Sequence, residues 1–275
     1  MRIAVIANHR VPEAVRELPR VVQTLEKLGA AVTCAPSQPA FPHNITEGLL
    51  QQQDAVIALG GDGTIMHVAK RAACYDKPVL GINCGRLGFL AGLESGELSL
   101  LTKLIEGDYT LEKRMLLEVS VGDKRYYALN EAVLSRGASP RIVDICVRNG
   151  GEKVLRYQAD GVIAATPTGS TAYALSAGGP VVDPALRCTL VTPICPHTLY
   201  SRSYLFGEDS ALTLTATSPD GAAVQLTVDS EETLSLPCGT TVMVSPSQVQ
   251  ATLIQCKPHA FYAVLEHKLL TEEHQ

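Results

Sequence analysis

The sequence contains no tryptophan and little phenylalanine or tyrosine, so that aromatic residues make up only 5% of its 275 residues. This scarcity disfavours a surface on which the bases of single-stranded nucleic acid stack. A basic stripe is missing too, because the formal net charge is −5 and lysine and arginine are scattered along the chain. Both observations argue against a nucleic-acid partner.

The chain also lacks the patterns of zinc-binding, disulfide-rich and membrane-spanning proteins. None of its eight cysteines stands in a Cys-x-x-Cys pair, and no histidine accompanies them at the spacing of zinc ligands. No apolar run reaches the roughly 18 residues that a membrane-spanning helix needs. Free thiols suit a reducing compartment, so we expect a cytoplasmic protein without a membrane partner.

Apolar strands alternate with amphipathic helices over residues 1–106. The apolar runs at Arg2–Ala7, Asp54–Leu59 and Pro78–Asn83 are typical of strands buried on both faces. Residues 64–74 have the spacing of a helix. This alternation predicts a parallel sheet with right-handed crossovers, and therefore an α/β N-terminal domain over residues 1–106.

The pattern changes near residue 107, and short strands separated by turn signals prevail up to residue 257. Thr241–Val244 and Gln250–Ile254 are the last two predicted strands, and a short helix is predicted at about Thr171–Ala177. We predict a β-rich, sandwich-like C-terminal domain over residues 107–257, with the site in the cleft between the two domains. A final helix is expected within residues 258–275, packing back on the first domain.

The first motif is LGGDGT at residues 59–64, which stands between a buried strand and a helix. Its glycines let the backbone approach a ligand closely, and the N–H groups at the start of the helix favour phosphate. Thr64 can cap that helix or bond a phosphate oxygen. The motif is neither a P-loop, because no Gly-Lys-Ser/Thr follows, nor the G-x-G-x-x-G fingerprint. A tight turn in which Asp62 caps the helix is the alternative interpretation.

The carboxylate of Asp62 distinguishes this loop from an ordinary phosphate cradle. An acidic side chain repels phosphate unless it binds a proton, a metal or a hydroxyl donor. A kinase has a use for such a group, because the acceptor hydroxyl must be oriented towards the γ-phosphorus and eventually lose its proton. The motif therefore predicts phosphoryl transfer to an alcohol, with Asp62 at the catalytic centre.

Three further segments carry polar groups suited to a nucleotide. The small hydroxyl residues of Asp160–Pro180 surround a predicted helix entrance, although an N-capped helix with nothing bound is the alternative. Asn130–Glu131 suits ribose hydroxyls or an adenine edge, although a polar rim at a strand end is the commoner explanation for such a pair. The apolar side chains of Ile82–Leu90, among them Phe89, form either a core plug or a wall against a nucleotide ring.

At these segments the sequence resembles the NAD kinase family. The matching motifs occur in the family's order and approximate spacing: GGDGT at Gly60–Thr64, N-x-G-x-L-G-F-L at Asn83–Leu90, NE at Asn130–Glu131 and DG…TPTGSTAY…SAGGP at Asp160–Pro180. Diacylglycerol, sphingosine and 6-phosphofructo kinases carry related forms of GGDGT, whereas the TPTGSTAY segment is specific. The resemblance spans most of the chain.

The resemblance implies phosphorylation of the adenosine 2′-hydroxyl of NAD to give NADP, with ATP as donor and Mg²⁺ held through the phosphates rather than by protein ligands. It implies Asp62 as the proton acceptor, and the first domain as the donor-binding one. The implied donor-binding residues are Gly60, Gly61, Gly63, Thr64 and His67. For His67 and for Arg141, a solvated or packed side chain is the alternative. The implied NAD-binding residues are Phe89, Asn130, Glu131, Arg141 (in the strand after the NE pair), Gln158, Asp160, Thr168, Thr171, Ala172, Tyr173, Ala174, Leu175, Ser176 and Glu231.

Two departures from the family pattern bear on ligand preference. Gln158 stands where many members have a basic residue, which leaves the choice between NAD and NADH open, and Glu231 replaces a common Gln. The family also suggests a homodimer or homotetramer. Polyphosphate as donor stays open, as do two other functions: a lipid or small-alcohol kinase with the same loop, and a dinucleotide sensor without turnover.

Overall fold

The computed structural model describes residues 1–35, 47–197, 201–258 and 261–272, and it divides the chain into two compact units. The first unit comprises Met1–Lys113 and Ala251–Gln275, and the second comprises Arg114–Gln250. The sequence placed the boundaries after residues 106 and 257. The structural boundaries fall inside two long strands, Thr110–Val121 and Thr241–Gln255, so that no turn signal marks them.

The elements follow one another in this order. The first part of the chain contains β1 (Arg2–Ala7), α1 (Pro12–Lys27), β2 (Ala31–Cys34), α2 (Glu47–Gln51), β3 (Ala55–Gly60), α3 (Asp62–Ala73), β4 (Val79–Asn83), β5 (Leu93–Glu94), a 3-10 turn (Ser95–Leu100) and α4 (Leu101–Glu106). Then come β6 (Thr110–Val121), β7 (Lys124–Ala128), β8 (Glu131–Arg136), β9 (Val143–Asn149), β10 (Glu152–Ala159), β11 (Gly161–Ala165), a 3-10 turn (Thr168–Thr171) and α5 (Tyr173–Ser176). The last elements are β12 (Cys188–Ile194), β13 (Tyr204–Gly207), β14 (Leu212–Thr217), β15 (Val224–Val228), β16 (Glu232–Leu236), β17 (Thr241–Gln255) and α6 (Phe261–Glu272).

The first unit is built on a parallel sheet with the order β2-β1-β3-β4, which confirms the predicted α/β domain. The central strand β3 is buried along its whole length, as its continuous apolar run predicts. In register, Ala7 pairs with Leu59 and Gly60 pairs with Asn83. The carboxyl ends of β1, β3 and β4 therefore meet at one edge of the sheet, where open α/β sheets bind their ligands.

The second unit consists of antiparallel strands, which confirms the predicted β-rich domain. One sheet has the order β13-β12-β11-β8-β15-β16, and a second group pairs in the order β10-β9-β14-β17. Side chains from both groups form one buried apolar cluster, in which Leu134 and Val162 come from the first and Ile145 and Leu214 from the second. This is the two-layer packing of a β-sandwich.

Two sequence predictions are wrong in detail. The helix predicted at Thr171–Ala177 is instead a 3-10 turn followed by the four-residue α5, because Ala172 leaves the helical region with φ −99° and ψ −130°. Thr241–Val244 and Gln250–Ile254 belong to one strand, β17, which continues through Pro246. The final helix, α6, lies in the first unit. No helix in the described ranges is both long and apolar enough to cross a bilayer.

Candidate active site

The glycine-rich loop at the end of β3 forms an uncapped helix start. Gly61 occupies the N-cap of α3, and since it has no side chain it leaves the first N–H groups of the helix without a side-chain cap. The N–H groups at a helix start point outwards, and the helix dipole adds partial positive charge there. The start of α3 is therefore a ready anion site.

The three glycines of this loop differ in whether the fold requires a residue without a side chain. A Cβ on Gly60 would lie 2.5 Å from the Thr64 Oγ1, so packing within the loop requires glycine there. A Cβ on Gly61 or Gly63 would meet nothing within 4 Å. The fold itself therefore does not require glycine at these two positions, and the space in front of the helix start is open to a ligand.

Thr64 and His67 face the interior of the first unit. The Thr64 hydroxyl accepts a hydrogen bond from the Asn8 Nδ2 at 2.9 Å, and it does not cap α3. His67, one turn further along α3, is only 3% exposed. Neither side chain is oriented as an exposed phosphate ligand in this structure, although Thr64 fixes the loop next to Asn8 at the end of β1.

The carboxylate of Asp62 is bound by the backbone of the loop after β4. Its Oδ2 accepts the N–H of Phe89 at 2.8 Å, and its Oδ1 accepts the N–H of Leu90 at 3.1 Å. A Cβ on Gly88 would lie 2.2 Å from Oδ1, so glycine is required for this approach. Asp62 therefore does not cap α3. Its side chain is 32% exposed, and each oxygen keeps a further lone pair for a hydroxyl donor.

The ring of Phe89 packs against α6 rather than facing open space. Its ring centroid lies 5.7 Å from that of Phe261, the first residue of α6. The ammonium of Lys268, from the same helix, lies 4.2 Å from the Phe89 centroid and 3.8 Å from the Asp62 Oδ2. The predicted alternative of an apolar plug fits this contact better than that of a ligand wall.

In the second unit, the carboxylate of Asp229 holds the segment that contains the NE pair. Its Oδ2 accepts the N–H of Leu129 at 2.8 Å, and its Oδ1 accepts those of Asn130 and Glu131 at 2.9 and 3.0 Å. Asp229 and Ser230 both have positive φ, 47° and 57°, in the tight turn between β15 and β16. Three hydrogen bonds to a charged acceptor offset the cost of this backbone conformation.

Glu131, whose backbone N–H is bound by Asp229, has a buried carboxyl side chain. It is only 5% exposed, and its Oε2 has no hydrogen-bond partner within the described part of the chain. Burial, together with the negative charge of Asp229, raises the pKa of the Glu131 carboxyl to about 7. Near neutral pH this group therefore exists partly as a neutral acid, which both donates and accepts a hydrogen bond.

The TPTGST segment is packed against the same backbone. The Thr166 N–H donates to the Asn130 carbonyl at 2.8 Å, and the Thr166 Oγ1 donates to the Leu129 carbonyl at 2.5 Å. A Cβ on Gly169 would lie 2.1 Å from the Asn130 carbonyl oxygen. Two segments that are distant in sequence are thus joined into one polar cluster, and Gly169 is required by that contact.

The other candidates in the second unit are more scattered. The Thr168 hydroxyl accepts a hydrogen bond from the buried Arg114 at 3.2 Å, and Asp160 accepts one from the Arg136 Nε at 2.9 Å. Arg141 lies in the loop before β9, so its predicted strand position is wrong. Ala174 is fully buried, whereas Thr171, Ala172, Tyr173, Leu175 and Ser176 retain some exposure. Gln158 and Glu231 are exposed.

Two family profiles match most of the chain. The ATP-NAD kinase N-terminal domain matches residues 3–109, and the ATP-NAD kinase C-terminal domain matches residues 129–256. The chain belongs to the NAD kinase family. A NAD kinase of Symbiobacterium thermophilum is 43% identical over 98% of both chains, and one of Heliobacterium modesticaldum is 37% identical over 97% of this chain and 98% of the relative.

Two solved structures, one of a NAD kinase and one of an NADH kinase, share this fold. An Archaeoglobus fulgidus NAD kinase in complex with ATP superposes with a TM-score of 0.80 and 26% identity, covering 98% of both chains. A yeast NADH kinase complexed with NADH gives a TM-score of 0.85 at 25% identity, covering all of this chain and 89% of the other. These likenesses extend over both units of the NAD kinase fold.

Several residues at the site were not predicted from the sequence of this NAD kinase family member. Asn8 had a usable signal, since it is a polar residue directly after an apolar strand. Asp229 and Arg114 had none, because their partners are distant in sequence. Within residues 1–35, 47–197, 201–258 and 261–272, no group of three or more His, Cys, Asp or Glu side chains is arranged to hold a metal.

The Asp229 contact predicts a large loss of stability in the Asp229→Asn variant. An amide has one oxygen in place of two, so at least one of the N–H groups of residues 129–131 loses its acceptor in a buried place. We expect the free energy of unfolding to fall by about 2–4 kcal/mol in urea titrations. Asp209→Asn, in an exposed turn, is the control and should change it by less than about 0.5 kcal/mol. Equal effects in the two variants would contradict this role.

The raised pKa of Glu131 predicts a pH dependence of stability. The folded state retains this proton up to about pH 7, whereas an unfolded glutamate, with its model value of 4.5, has lost it. Glu131 therefore contributes stability below about pH 4.5 that is lost as pH rises through about 7. We therefore measure the urea midpoint of Glu131→Gln minus that of wild type at each pH. This difference should be more favourable to the variant at pH 8 than at pH 5. A constant difference between the variants would refute the shift.

Proposed function

We propose that this protein transfers the γ-phosphoryl group of ATP to the adenosine 2′-hydroxyl of NAD, giving NADP and ADP. The observation that carries the proposal is the position of Asp62, a partly exposed carboxylate at the uncapped start of α3 beside the open space at Gly61 and Gly63. The names of the relatives, and the ATP and NADH in the titles of the two solved structures, support the nucleotides chosen.

In this mechanism Asp62 orients the hydroxyl and receives its proton. The 2′-oxygen attacks the γ-phosphorus, the bond to the β,γ-bridging oxygen breaks, and ADP leaves with that electron pair. Because the transition state is loose, positioning contributes more than early deprotonation. The N–H bonds from Phe89 and Leu90 keep the carboxylate in one orientation, which is the pre-organisation that this role needs.

The N–H groups at the start of α3 bind the phosphates of the donor. Fixed dipoles that point at developing charge stabilise a transferring phosphoryl group without reorganisation. Mg²⁺ keeps several of its waters and commonly binds through substrate phosphates, so we propose that it enters as part of the Mg·ATP substrate.

The second unit provides the contacts to NAD in this proposal. Asn130 and the partly neutral Glu131 offer donors and acceptors for the adenosine side, and their backbone is held by Asp229. Asp160, Thr168 and the predicted residues of the 171–176 segment belong to the same proposal. Gln158 and Glu231 are exposed, and exchanging each for the family's more common residue tests the preference between NAD and NADH.

A cytoplasmic location and a homo-oligomer also belong to the proposal. All eight cysteines are free, which is the state of thiols in a reducing compartment. Tyr204 and Leu205 are exposed on β13, the last strand of its sheet, and such an edge suits assembly of a second copy. Cell fractionation and light scattering test the two points separately.

The role of Asp62 predicts the result of an Asp62→Asn substitution. Loss of a general base costs about 10²–10⁴ in rate, so NADP formation should fall by that factor or less while NAD still binds. Asp108→Asn is the control, because this carboxylate is exposed. Its ion pair in the described part of the chain is with Lys103, whose Nζ lies 3.2 Å from the Asp108 Oδ2. Turnover of Asp62→Asn near that of wild type would remove Asp62 from the mechanism. Binding of NAD by wild type without turnover would instead identify a sensor.

The glycines of the loop predict two opposite phenotypes. Gly63→Ala fits the unliganded fold and replaces a helical glycine, so its unfolding temperature should stay equal or rise. The added methyl group intrudes on the donor, so kcat/KM for ATP should fall roughly 10- to 100-fold. Gly60→Ala should instead lose about 1–3 kcal/mol of stability because of Thr64. Normal ATP kinetics in Gly63→Ala would place the phosphates elsewhere.

A further inference from the structure

The phosphate loop of this protein presents a problem of charge. It contains an acidic side chain, Asp62, where a P-loop has a lysine that reaches the β- and γ-phosphates. The N–H groups of α3 carry only partial positive charge. A triphosphate that approaches this loop therefore meets a full negative charge, and a compensating cation in the same place would favour both binding and transfer.

A lysine from the other end of the chain lies at this position. The Nζ of Lys268, in α6, is 3.8 Å from the Asp62 Oδ2. That distance is longer than a hydrogen bond, so the ammonium neighbours the carboxylate without being locked onto it. The Lys268 side chain is 33% exposed, and its Nζ also lies 4.2 Å from the centroid of the Phe89 ring.

The surroundings of Lys268 hold its helix beside the loop. Phe261, at the start of α6, is 9% exposed and packs its ring against that of Phe89. Phe89 in turn donates its backbone N–H to Asp62. The same residue therefore contacts the helix that carries the ammonium and the carboxylate next to it, which makes the placement of Lys268 a consequence of packing rather than of a loose surface ion pair.

We propose that Lys268 is a catalytic residue whose ammonium binds the phosphoryl group as it is transferred. In a P-loop the corresponding lysine belongs to the loop itself, whereas here it comes from α6 and reaches the loop through the fold. Asp62 remains the acceptor of the hydroxyl proton. Lysine acts here as a compact point charge on a flexible stem, so it can follow the phosphoryl group from donor to acceptor. The inference rests on the proposed function, because it needs Asp62 to lie at the reacting hydroxyl.

The test compares Lys268→Met and Lys268→Arg in the full chain. Removing one donor to a transition-state oxyanion costs about 10²–10³ in kcat, and we expect a loss of that size in Lys268→Met together with weaker ATP binding in calorimetry. Lys268→Arg keeps the charge and should recover much of the lost kcat. Because the pair with Asp62 is partly exposed, the unfolding temperature of both variants should stay near that of wild type.

Lys257→Met is the matched control. Lys257 also pairs with a carboxylate of the first unit, that of Glu97, but it has no contact with Asp62 or Phe89 among the described contacts. Its kcat and ATP binding should match wild type. Wild-type kcat and ATP binding in Lys268→Met would overturn the inference, and so would an equal loss in the Met and Arg variants accompanied by a lowered unfolding temperature.

The two proposals fail in distinguishable ways. If the wild-type chain forms no NADP, the proposed function fails, and calorimetry with ATP alone still compares Lys268→Met with wild type. If the wild-type chain forms NADP and Lys268→Met does so equally well, only the role of Lys268 fails.

Discussion

The bond between the Asp62 carboxylate and the backbone N–H groups of Phe89 and Leu90 is the contact on which the candidate site depends. It turns an acidic side chain away from capping its own helix, and so leaves the start of α3 open to an anion. It also fixes the loop after β4, which carries Phe89 and through it α6. One carboxylate thereby joins the glycine-rich loop, the neighbouring strand end and the C-terminal helix of the first unit.

The second unit repeats this device with another carboxylate. Asp229 accepts three backbone N–H groups from residues 129–131, whereas Asp62 accepts two from residues 89–90. In both cases a carboxylate fixes a backbone segment that is distant in sequence. The contact is strong because charge-assisted hydrogen bonds are stronger than neutral ones. The consequences differ. Asp62 stays partly exposed, whereas burial and the charge of Asp229, which is itself 3% exposed, together raise the pKa of Glu131. One arrangement leaves a carboxylate partly exposed at the candidate site, and the other stands beside a buried acid.

The sequence predicts the class of both units because hydrophobic periodicity depends on neighbours along the chain. The strand predicted at Arg2–Ala7 has the observed bounds, and the strand β3 and the helix α3 flank the GGDGT loop as expected. The errors arise where tertiary contacts override local signals. The composition of Ser245–Pro246–Ser247 is typical of a turn, yet β17 continues through these residues.

The composition around Ala172 is typical of a helix. The backbone of Gly169 nevertheless packs against Asn130, and the helix is interrupted at Ala172. The partners of Asp62 and Asp229 were unpredictable for the same reason.

A crystal structure of the protein with NAD and a non-hydrolysable ATP analogue tests the central claim most directly. The account predicts that the adenosine 2′-oxygen lies within hydrogen-bonding distance of an Asp62 carboxylate oxygen, about 2.6–3.2 Å. It also predicts that the terminal phosphate of the analogue accepts N–H groups from the start of α3. A complex in which the sugar binds away from Asp62, or the triphosphate away from Gly61 and Gly63, would contradict the account.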